Sequence, residues 1–213
     1  MSKIAIIDYG MGNLHSVAKA LEHVAEGHRI IVTSDPKEVD KADRVLFPGV
    51  GAMRDCMSGL KTLGLDAAIA RALESRPVFA ICVGMQALMD SSEENDGIEC
   101  LGVFPGTVRF FGTDLKDERG ERLKVPHMGW NQVHQTIAHP MWNDIAQDSR
   151  FYFVHSYYCD PQDDSVLAGT CEYGSNFAAS LYRDNLFAVQ FHPEKSHNAG
   201  LQLLKNFTNW QPQ

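Results

Sequence analysis

The chain has 213 residues, of which 44% are hydrophobic, and its formal net charge is -8. This length can bury one sizeable core, and we predict a single domain over residues 1–213. The acidic balance, with no run of basic residues, argues against nucleic acid or an anionic membrane as a partner. The five cysteines are irregularly spaced and form no C-x-x-C, which argues against a disulfide framework or a structural metal site.

The amino-terminal apolar run covers residues 4–7 and ends at Asp8. It is too short for the hydrophobic region of a signal peptide or for a membrane span. We therefore expect a cytoplasmic protein that stays in the reducing compartment where it is made.

The first ninety residues alternate short apolar runs with helical patterns. The apolar runs predict buried strands at residues 4–7, 29–33, 44–47 and 77–81. The helical patterns predict helices that begin at Asn13 and cover residues 52–62, 66–74 and 84–89. This βαβα order predicts a mostly parallel central sheet with helices on both faces.

After residue 105 the pattern changes to closely spaced strands separated by turn signals. We predict strands at residues 107–110, 129–134, 151–155, 165–171, 177–182 and 186–191. They are interpreted as an antiparallel extension of the same sheet. Ser196 is predicted to cap a final helix.

Cys82 lies where the fourth predicted strand ends and a helix begins. Small residues stand two positions before it, at Ala80, and two positions after it, at Gly84, as a strained strand-to-helix elbow requires. Such an elbow presents the nucleophile to substrate, and the helix amino terminus favours the thiolate. A buried structural cysteine at a strand end is the alternative interpretation.

A base for this thiol is best sought at His192. Pro193 disfavours helix at the residue before it, so His192 is predicted to be extended, with Glu194 on the same side of the chain. Glu194 would then orient the imidazole while its other nitrogen faces Cys82. An incidental pair on a surface turn is the alternative, and a metal site is disfavoured because no further ligands stand at suitable spacing.

Two glycines follow the third predicted strand, at Gly49 and Gly51. They permit unusual backbone angles, so the N–H of Val50 could form half of an oxyanion hole, with the N–H of Val83 as the other half. An ordinary tight turn between strand and helix remains the alternative.

The order of residues 48–51, 82–86 and 192–194 resembles the class I (triad) glutamine amidotransferases. Residues 8–14, 126–131 and 152–157 extend the resemblance to those members that serve histidine biosynthesis. The family has a flavodoxin-like α/β fold, and it usually has glycine where this chain has Ala80. The resemblance implies that Cys82 attacks glutamine and that His192 protonates the leaving ammonia.

The resemblance also implies how glutamine is held. The implied contacts are Gly49, Gly51, Gln86, Glu94, Ser156 and Tyr157. For Glu94 an exposed acidic loop is the alternative. For the aromatic run around Tyr157 a core strand is the alternative, although both can hold because alternate residues of a strand face opposite sides.

By the same resemblance, ammonia passes to a separate (βα)₈-barrel cyclase subunit, and no cofactor or metal is needed. The implied contacts with this partner are Asn13, Trp130, Tyr152 and Lys195, although Trp130 could equally be an ordinary core residue. Three alternatives remain open at this point. They are a glutaminase serving another synthase such as anthranilate synthase, a non-catalytic regulatory module, and a cysteine hydrolase without a partner.

Overall fold

The computed structural model describes residues 2–11 and 14–212. Its first half alternates strands and helices, as the sequence predicted. The elements are β1 (Ser2–Ile7), α1 (Leu14–Val24), β2 (His28–Thr33), α2 (Pro36–Asp40), β3 (Arg44–Gly49), α3 (Met53–Leu63), α4 (Leu65–Leu73), β4 (Val78–Cys82) and α5 (Val83–Gln86).

The second half is dominated by strands and ends in one helix. The elements are β5 (Met89–Ser92), β6 (Ile98–Glu99), β7 (Phe104–Phe110), β8 (His127–Gln132), β9 (His134–Gln135), β10 (Arg150–His155), β11 (Tyr157–Pro161), β12 (Leu167–Glu172), β13 (Asn176–Arg183), β14 (Leu186–Val189) and α6 (His197–Asn209). Short 3₁₀ turns at Glu94–Asp96 and Pro193–Lys195 lie between them.

The main sheet has the strand order β2-β1-β3-β4-β14-β13-β11-β7-β5-β6, and β12 joins β13 to β9. Strands β2, β1, β3, β4 and β14 are mutually parallel. Strands β14, β13, β11 and β7 then alternate in direction. The predicted fold class, a mostly parallel sheet with an antiparallel extension, is confirmed.

The topology also places the helices. The crossover from β1 to β2 runs along the sheet in the opposite direction to the crossover from β2 to β3, so right-handed connections put α1 and α2 on opposite faces. Contacts agree with this arrangement, because α1 packs on α6 while α4 packs on α2 and α3.

One part of the predicted antiparallel extension is wrong. Strands β8 and β10 pair only with each other within the described residues, as a separate two-stranded antiparallel sheet. Alternating polarity identifies a strand but does not identify its neighbour, because the pairing depends on contacts that are distant in sequence.

The helix predicted after Cys82 is also too long. It has a single turn, α5, and the chain then enters β5, which the sequence pattern did not predict. The carbonyl groups of Ala87 and Leu88 accept hydrogen bonds from the incoming segment at Leu101, Val103 and Phe104. These bonds take the acceptors that a longer helix would need. Strand β11, helix α2 and the short strands β6 and β9 were likewise missed.

A continuous hydrophobic core joins the sheet to its helices. Its largest fully buried side chains include Phe47, Phe79, Phe187 and Phe207. Among the described residues, no helix is long and apolar enough to cross a membrane.

Candidate active site

Cys82 occupies a strained junction between β4 and α5. Its φ of 55° and ψ of -113° lie where residues with a side chain are rarely found. Strands β3 and β4 are parallel and place Gly49 opposite Cys82, so the carboxyl ends of both strands reach the same edge of the sheet. Ligand sites in open α/β sheets form at this edge.

Gly84 makes the tight elbow possible. A Cβ atom at this position would lie 2.2 Å from the backbone oxygen of Phe47, so no larger residue fits without a shift of the backbone. Ala80, two residues before Cys82, is fully buried between Phe47 and Ala188 on the neighbouring strands. Its small side chain is accommodated in this buried position.

His192 and Glu194 form a buried pair beside this elbow. His192 has an extended backbone and is followed by the turn Pro193–Lys195. Its Nδ1 donates a hydrogen bond to Glu194 Oε1 at 2.8 Å, and the two side chains are only 3% and 1% exposed. The Nε2 atom of His192 is buried and has no hydrogen-bond partner among the described residues.

The charge on this pair follows from its surroundings. Burial alone would lower the pKa of His192, but the negative charges of the Cys82 thiolate and the Glu194 carboxylate outweigh it and raise this pKa to about 10. His192 is therefore protonated at neutral pH. The cavity therefore holds a cationic imidazole beside a cysteine side chain.

Ser196 differs from its predicted role. It is the N-cap residue immediately before α6, but its side chain makes no capping hydrogen bond. Its Oγ instead donates to the His192 backbone oxygen at 2.6 Å and accepts from the Tyr152 backbone N–H at 3.0 Å. Its position at the start of the helix is as predicted, but its hydroxyl group bonds to those two partners and not to the helix.

The cavity at Cys82 has a volume of about 350 Å³, within the range of small-molecule sites. It brings together residues from six separate segments of the chain. Its lining includes Val50, Gly51, Cys82, Val83, Gln86, Glu94, Pro126, Val154, His155, Ser156, Tyr157 and His192. Gly49, by contrast, packs beneath the elbow, where a Cβ atom would lie 2.6 Å from the Gly84 nitrogen.

Two residues predicted to hold glutamine already have protein partners. Glu94 Oε2 accepts the backbone N–H of Met53, the first residue of α3, at 2.8 Å. Gln86 Nε2 donates to the Tyr157 backbone oxygen at 2.9 Å and to Gln190 Oε1 at 3.0 Å. The Gln86 amide is therefore fixed before any ligand binds.

The residues predicted to contact a partner lie outside the cavity. Trp130 and Tyr152 face each other on β8 and β10, with ring centroids 6.1 Å apart, and Lys195 lies over the Tyr152 ring. Trp130 also stacks on His197 and is 37% exposed. Asn13 lies outside the described residues.

Sequence reasoning missed Gln190, which is fully buried and donates a hydrogen bond from Nε2 to Cys82 Sγ at 3.7 Å. A signal was present, because Gln190 is a polar residue inside the apolar run Leu186 to Phe191. A buried amide requires partners, so it often marks a network. Among the described residues, no cluster of metal-binding side chains is found.

Comparison with known proteins agrees with this geometry. Residues 5–210 match the family model described as glutamine amidotransferase class-I. The imidazole glycerol phosphate synthase subunit HisH of Acinetobacter baylyi is 61% identical, over 99% of both chains. The subunit of the same name from Pseudomonas syringae pv. syringae is 60% identical, over 99% of this chain and 98% of the relative.

Solved structures share the fold at much lower identity. A putative GMP synthase subunit from Thermoplasma acidophilum superimposes with a TM-score of 0.71 at 20% identity, covering 98% of this chain and 93% of that one. PurLQS from Thermotoga maritima gives 0.72 at 17% identity, covering 98% of each. The sequence matches carry the closer relationship: this chain belongs to the class-I glutamine amidotransferase family, among the imidazole glycerol phosphate synthase subunits named HisH.

Proposed function

We propose that this chain hydrolyses glutamine at Cys82 and delivers the ammonia to a separate cyclase subunit of imidazole glycerol phosphate synthase. One observation carries the proposal: a cysteine on a strained elbow shares a cavity with a buried histidine that is hydrogen-bonded to a glutamate. The relatives at about 60% identity bear the name of that synthase.

In the first half-reaction, the Cys82 thiolate attacks the side-chain carbonyl carbon of glutamine. The carbonyl electrons move to oxygen, and a tetrahedral intermediate forms. Protonated His192 gives its proton to the amide nitrogen, the C–N bond breaks, and ammonia leaves. The product on the protein is a γ-glutamyl thioester at Cys82.

In the second half-reaction, His192 is neutral and acts as a base. It accepts a proton from water as the water oxygen attacks the thioester carbon. The C–S bond breaks, glutamate leaves, and the pair returns to thiolate and imidazolium. Glu194 holds the imidazole in one orientation throughout, and this role is supported by the 2.8 Å hydrogen bond between their side chains.

The remaining cavity residues are assigned to binding. The N–H groups of Val50 and Val83 stabilise the oxyanion, with Gly51 at a φ of 88° giving the loop its shape. Gly49, Gln86, Glu94, Ser156 and Tyr157 hold glutamine, directly or by shaping the wall. The lining of the cavity supports these assignments, because it includes every residue named in this paragraph except Gly49.

The proposed partner is a (βα)₈-barrel cyclase that forms a heterodimer with this chain. It uses the ammonia nitrogen to complete the imidazole ring of imidazole glycerol phosphate. Ammonia released into water is protonated and loses its nucleophilicity, so direct transfer is needed. Asn13, Trp130, Tyr152 and Lys195 are the proposed contacts. We place residues 1–213 in one amidotransferase domain in the cytoplasm, which the five free cysteines among the described residues support.

The test is the Cys82→Ala variant, assembled with the cyclase subunit. Glutamine should no longer support imidazole glycerol phosphate formation, because the nucleophile is gone, whereas added ammonium salt should still support it. Product formation with each nitrogen source is measured by chromatography.

Cys171→Ala serves as the matched control, because Cys171 is also buried but lies on β12, outside the cavity lining. It should keep glutamine-dependent synthesis. Glutamate release by Cys82→Ala would remove this residue from its proposed role.

A further inference from the structure

A set of buried polar side chains at the cavity includes three, from His127, His155 and Gln190, that have been given no role above. His127, His155, Gln86 and Gln190 are all less than 7% exposed. Buried polar groups cost free energy unless they are hydrogen-bonded, so the partners of these four side chains need an account.

The hydrogen-bond direction can be assigned from the Tyr157 backbone oxygen, which can only accept. The Nδ1 atom of His155 lies 2.8 Å from this oxygen and must therefore carry a proton. Burial lowers the pKa of His155 to about 3, so the ring is neutral at neutral pH and its Nε2 is an acceptor.

The same reasoning fixes the proton on His127. Its Nδ1 lies 2.9 Å from His155 Nε2 and must be the donor. Burial lowers the pKa of His127 to about 4, so its Nε2 is also an acceptor, and it receives a hydrogen bond from Asn131 Nδ2 at 3.3 Å. Asn131 Nδ2 also donates to the Glu172 backbone oxygen, at 2.7 Å.

On the other side of the Tyr157 oxygen, the chain of bonds reaches the nucleophile. Gln86 Nε2 donates to this oxygen and to Gln190 Oε1, and Gln190 Nε2 donates to Cys82 Sγ. Every link has one donor and one acceptor. We call this connected set the imidazole–amide relay, and its members are Asn131, His127, His155, the Tyr157 carbonyl, Gln86 and Gln190.

We propose that His127 and His155 are positioning residues for glutamine hydrolysis, because they fix the Tyr157 carbonyl and thereby orient the Gln86 and Gln190 amides so that an N–H points at Cys82 Sγ. This N–H stabilises the sulfur when it is a thiolate and when it leaves the thioester. The inference rests on the proposed function, since it assigns roles within the same reaction.

The first test measures the tautomers directly, in the native protein at neutral pH. Nitrogen-15 NMR distinguishes Nδ1–H from Nε2–H in neutral histidine. Both His127 and His155 should be in the Nδ1–H form, although free histidine favours Nε2–H. An Nε2–H form or a protonated ring at either position would overturn the relay.

The second test uses His155→Phe and His155→Asn. Phenylalanine keeps a ring but cannot donate to the Tyr157 carbonyl, whereas the asparagine amide can place an N–H close to where Nδ1 stood. We expect His155→Phe to slow alkylation of Cys82 by iodoacetamide about tenfold and to raise the KM for glutamine by a similar factor, as for the loss of one hydrogen bond. His155→Asn should recover most of both losses.

His139→Phe is the matched control, because burial also lowers the pKa of His139 to about 4 but this ring packs on Tyr182, Phe187 and Trp210 away from the cavity. The His139→Phe variant should change the melting temperature of the protein without changing the rate of Cys82 alkylation or the KM for glutamine. Unchanged alkylation in folded His155→Phe, or equal losses in both His155 variants, would contradict the proposal. The alkylation rate does not depend on any activity, so it separates failure of the relay from failure of the proposed function.

Discussion

His192 shows how two neighbouring groups, Cys82 and Glu194, together set the charge of a buried imidazole. Burial favours a neutral imidazole, yet the charges of Cys82 and Glu194 reverse this preference and raise the pKa of His192 to about 10. The side-chain carboxylate is 1% exposed, so its field is only weakly screened by water.

Replacing this carboxylate gives a prediction at the residue scale. In Glu194→Gln, the amide oxygen can still accept the hydrogen bond from His192 Nδ1, but the negative charge is lost. We expect kcat for glutamine hydrolysis to fall by about tenfold rather than vanish, because the residue orients the imidazole and transfers no proton. Steady-state kinetics of the complex measures this effect.

The same variant should change how stability depends on pH. Because the pKa of His192 is raised in the folded state, its protonated form stabilises the fold fully below about pH 6.5, and this contribution is lost as the pH rises toward about 10. Between about pH 6.5 and pH 10, the free energy of unfolding should therefore fall less in Glu194→Gln than in the native protein. Urea denaturation at a series of pH values measures this difference. Glu93→Gln is the control, since Glu93 is exposed and its ion pair is with Arg109; an equal effect in both variants would contradict the prediction.

At this scale, the sequence predicts residues whose chemistry depends on near neighbours. Cys82 with Gly84, and His192 with Glu194, are each two positions apart, and the backbone alone brings them into relation. The role of Gln190 could not be predicted in the same way. Its amide acts through contacts with Gln86 and Cys82, which lie more than a hundred residues earlier in the chain.

At the element scale, the Ser196 hydroxyl group, immediately before α6, connects this end of the helix to strand β10. Ser196 Oγ links the Tyr152 backbone to the His192 backbone, and His192 N–H also donates to the Tyr152 oxygen at 2.9 Å. His192, the proposed proton donor, is thus anchored to the strand that carries a proposed partner contact.

Loss of this hydroxyl should cost both stability and rate. Ser196→Ala leaves the half-buried Tyr152 N–H without its acceptor, so we expect the free energy of unfolding to fall by about 1 to 3 kcal/mol. We also expect a lower kcat, since His192 loses part of its support. Chemical denaturation and glutaminase assays measure the two effects.

The matched variant on the same helix is Thr208→Val. Thr208 is buried, and its hydroxyl donates only to the Lys205 backbone oxygen one turn earlier. It should affect stability alone. If Ser196→Ala keeps the full glutaminase rate, the hydrogen bonds of the Ser196 hydroxyl do not position His192.

Elements were predictable where one face of a strand or helix is uniformly apolar. The central parallel strands β3, β4 and β14 have this property, because they are buried on both faces. The short strands β5, β6 and β9 lack it, and their positions are set by partners such as β7 and β12. Strand β8 pairs with β10 and not with the main sheet. This pairing depends on tertiary contacts, which the local sequence pattern does not reveal.

On the scale of the whole molecule, the exposed apolar side chains are unevenly distributed. Met128 is 61% exposed and Trp130 37% exposed, both on β8, and Tyr152 and Lys195 lie beside Trp130. Tryptophan, tyrosine and methionine side chains are enriched in the cores of protein interfaces. This surface is where we expect the cyclase subunit to bind.

Removing the anchor tests this expectation. Trp130→Ala should weaken association with the cyclase about ten- to hundredfold, because buried tryptophans are common hot spots in protein interfaces. Isothermal titration calorimetry measures the dissociation constant. Val32→Ala is the control, since Val32 is 45% exposed but lies on β2 at the far edge of the sheet. Equal affinity of both variants would place the interface elsewhere.

Strand β8 has a further consequence for how related chains can vary. Its side chains alternate, with Met128 and Trp130 outward and His127 and Asn131 toward the relay. Replacements on the outward side leave the inward side intact, so they can change the affinity for the partner without disturbing the relay. An insertion or deletion of one residue would exchange the two sides at once, burying the tryptophan and exposing the histidine. We therefore expect this strand to tolerate changes of residue type on its outer side but no change of length.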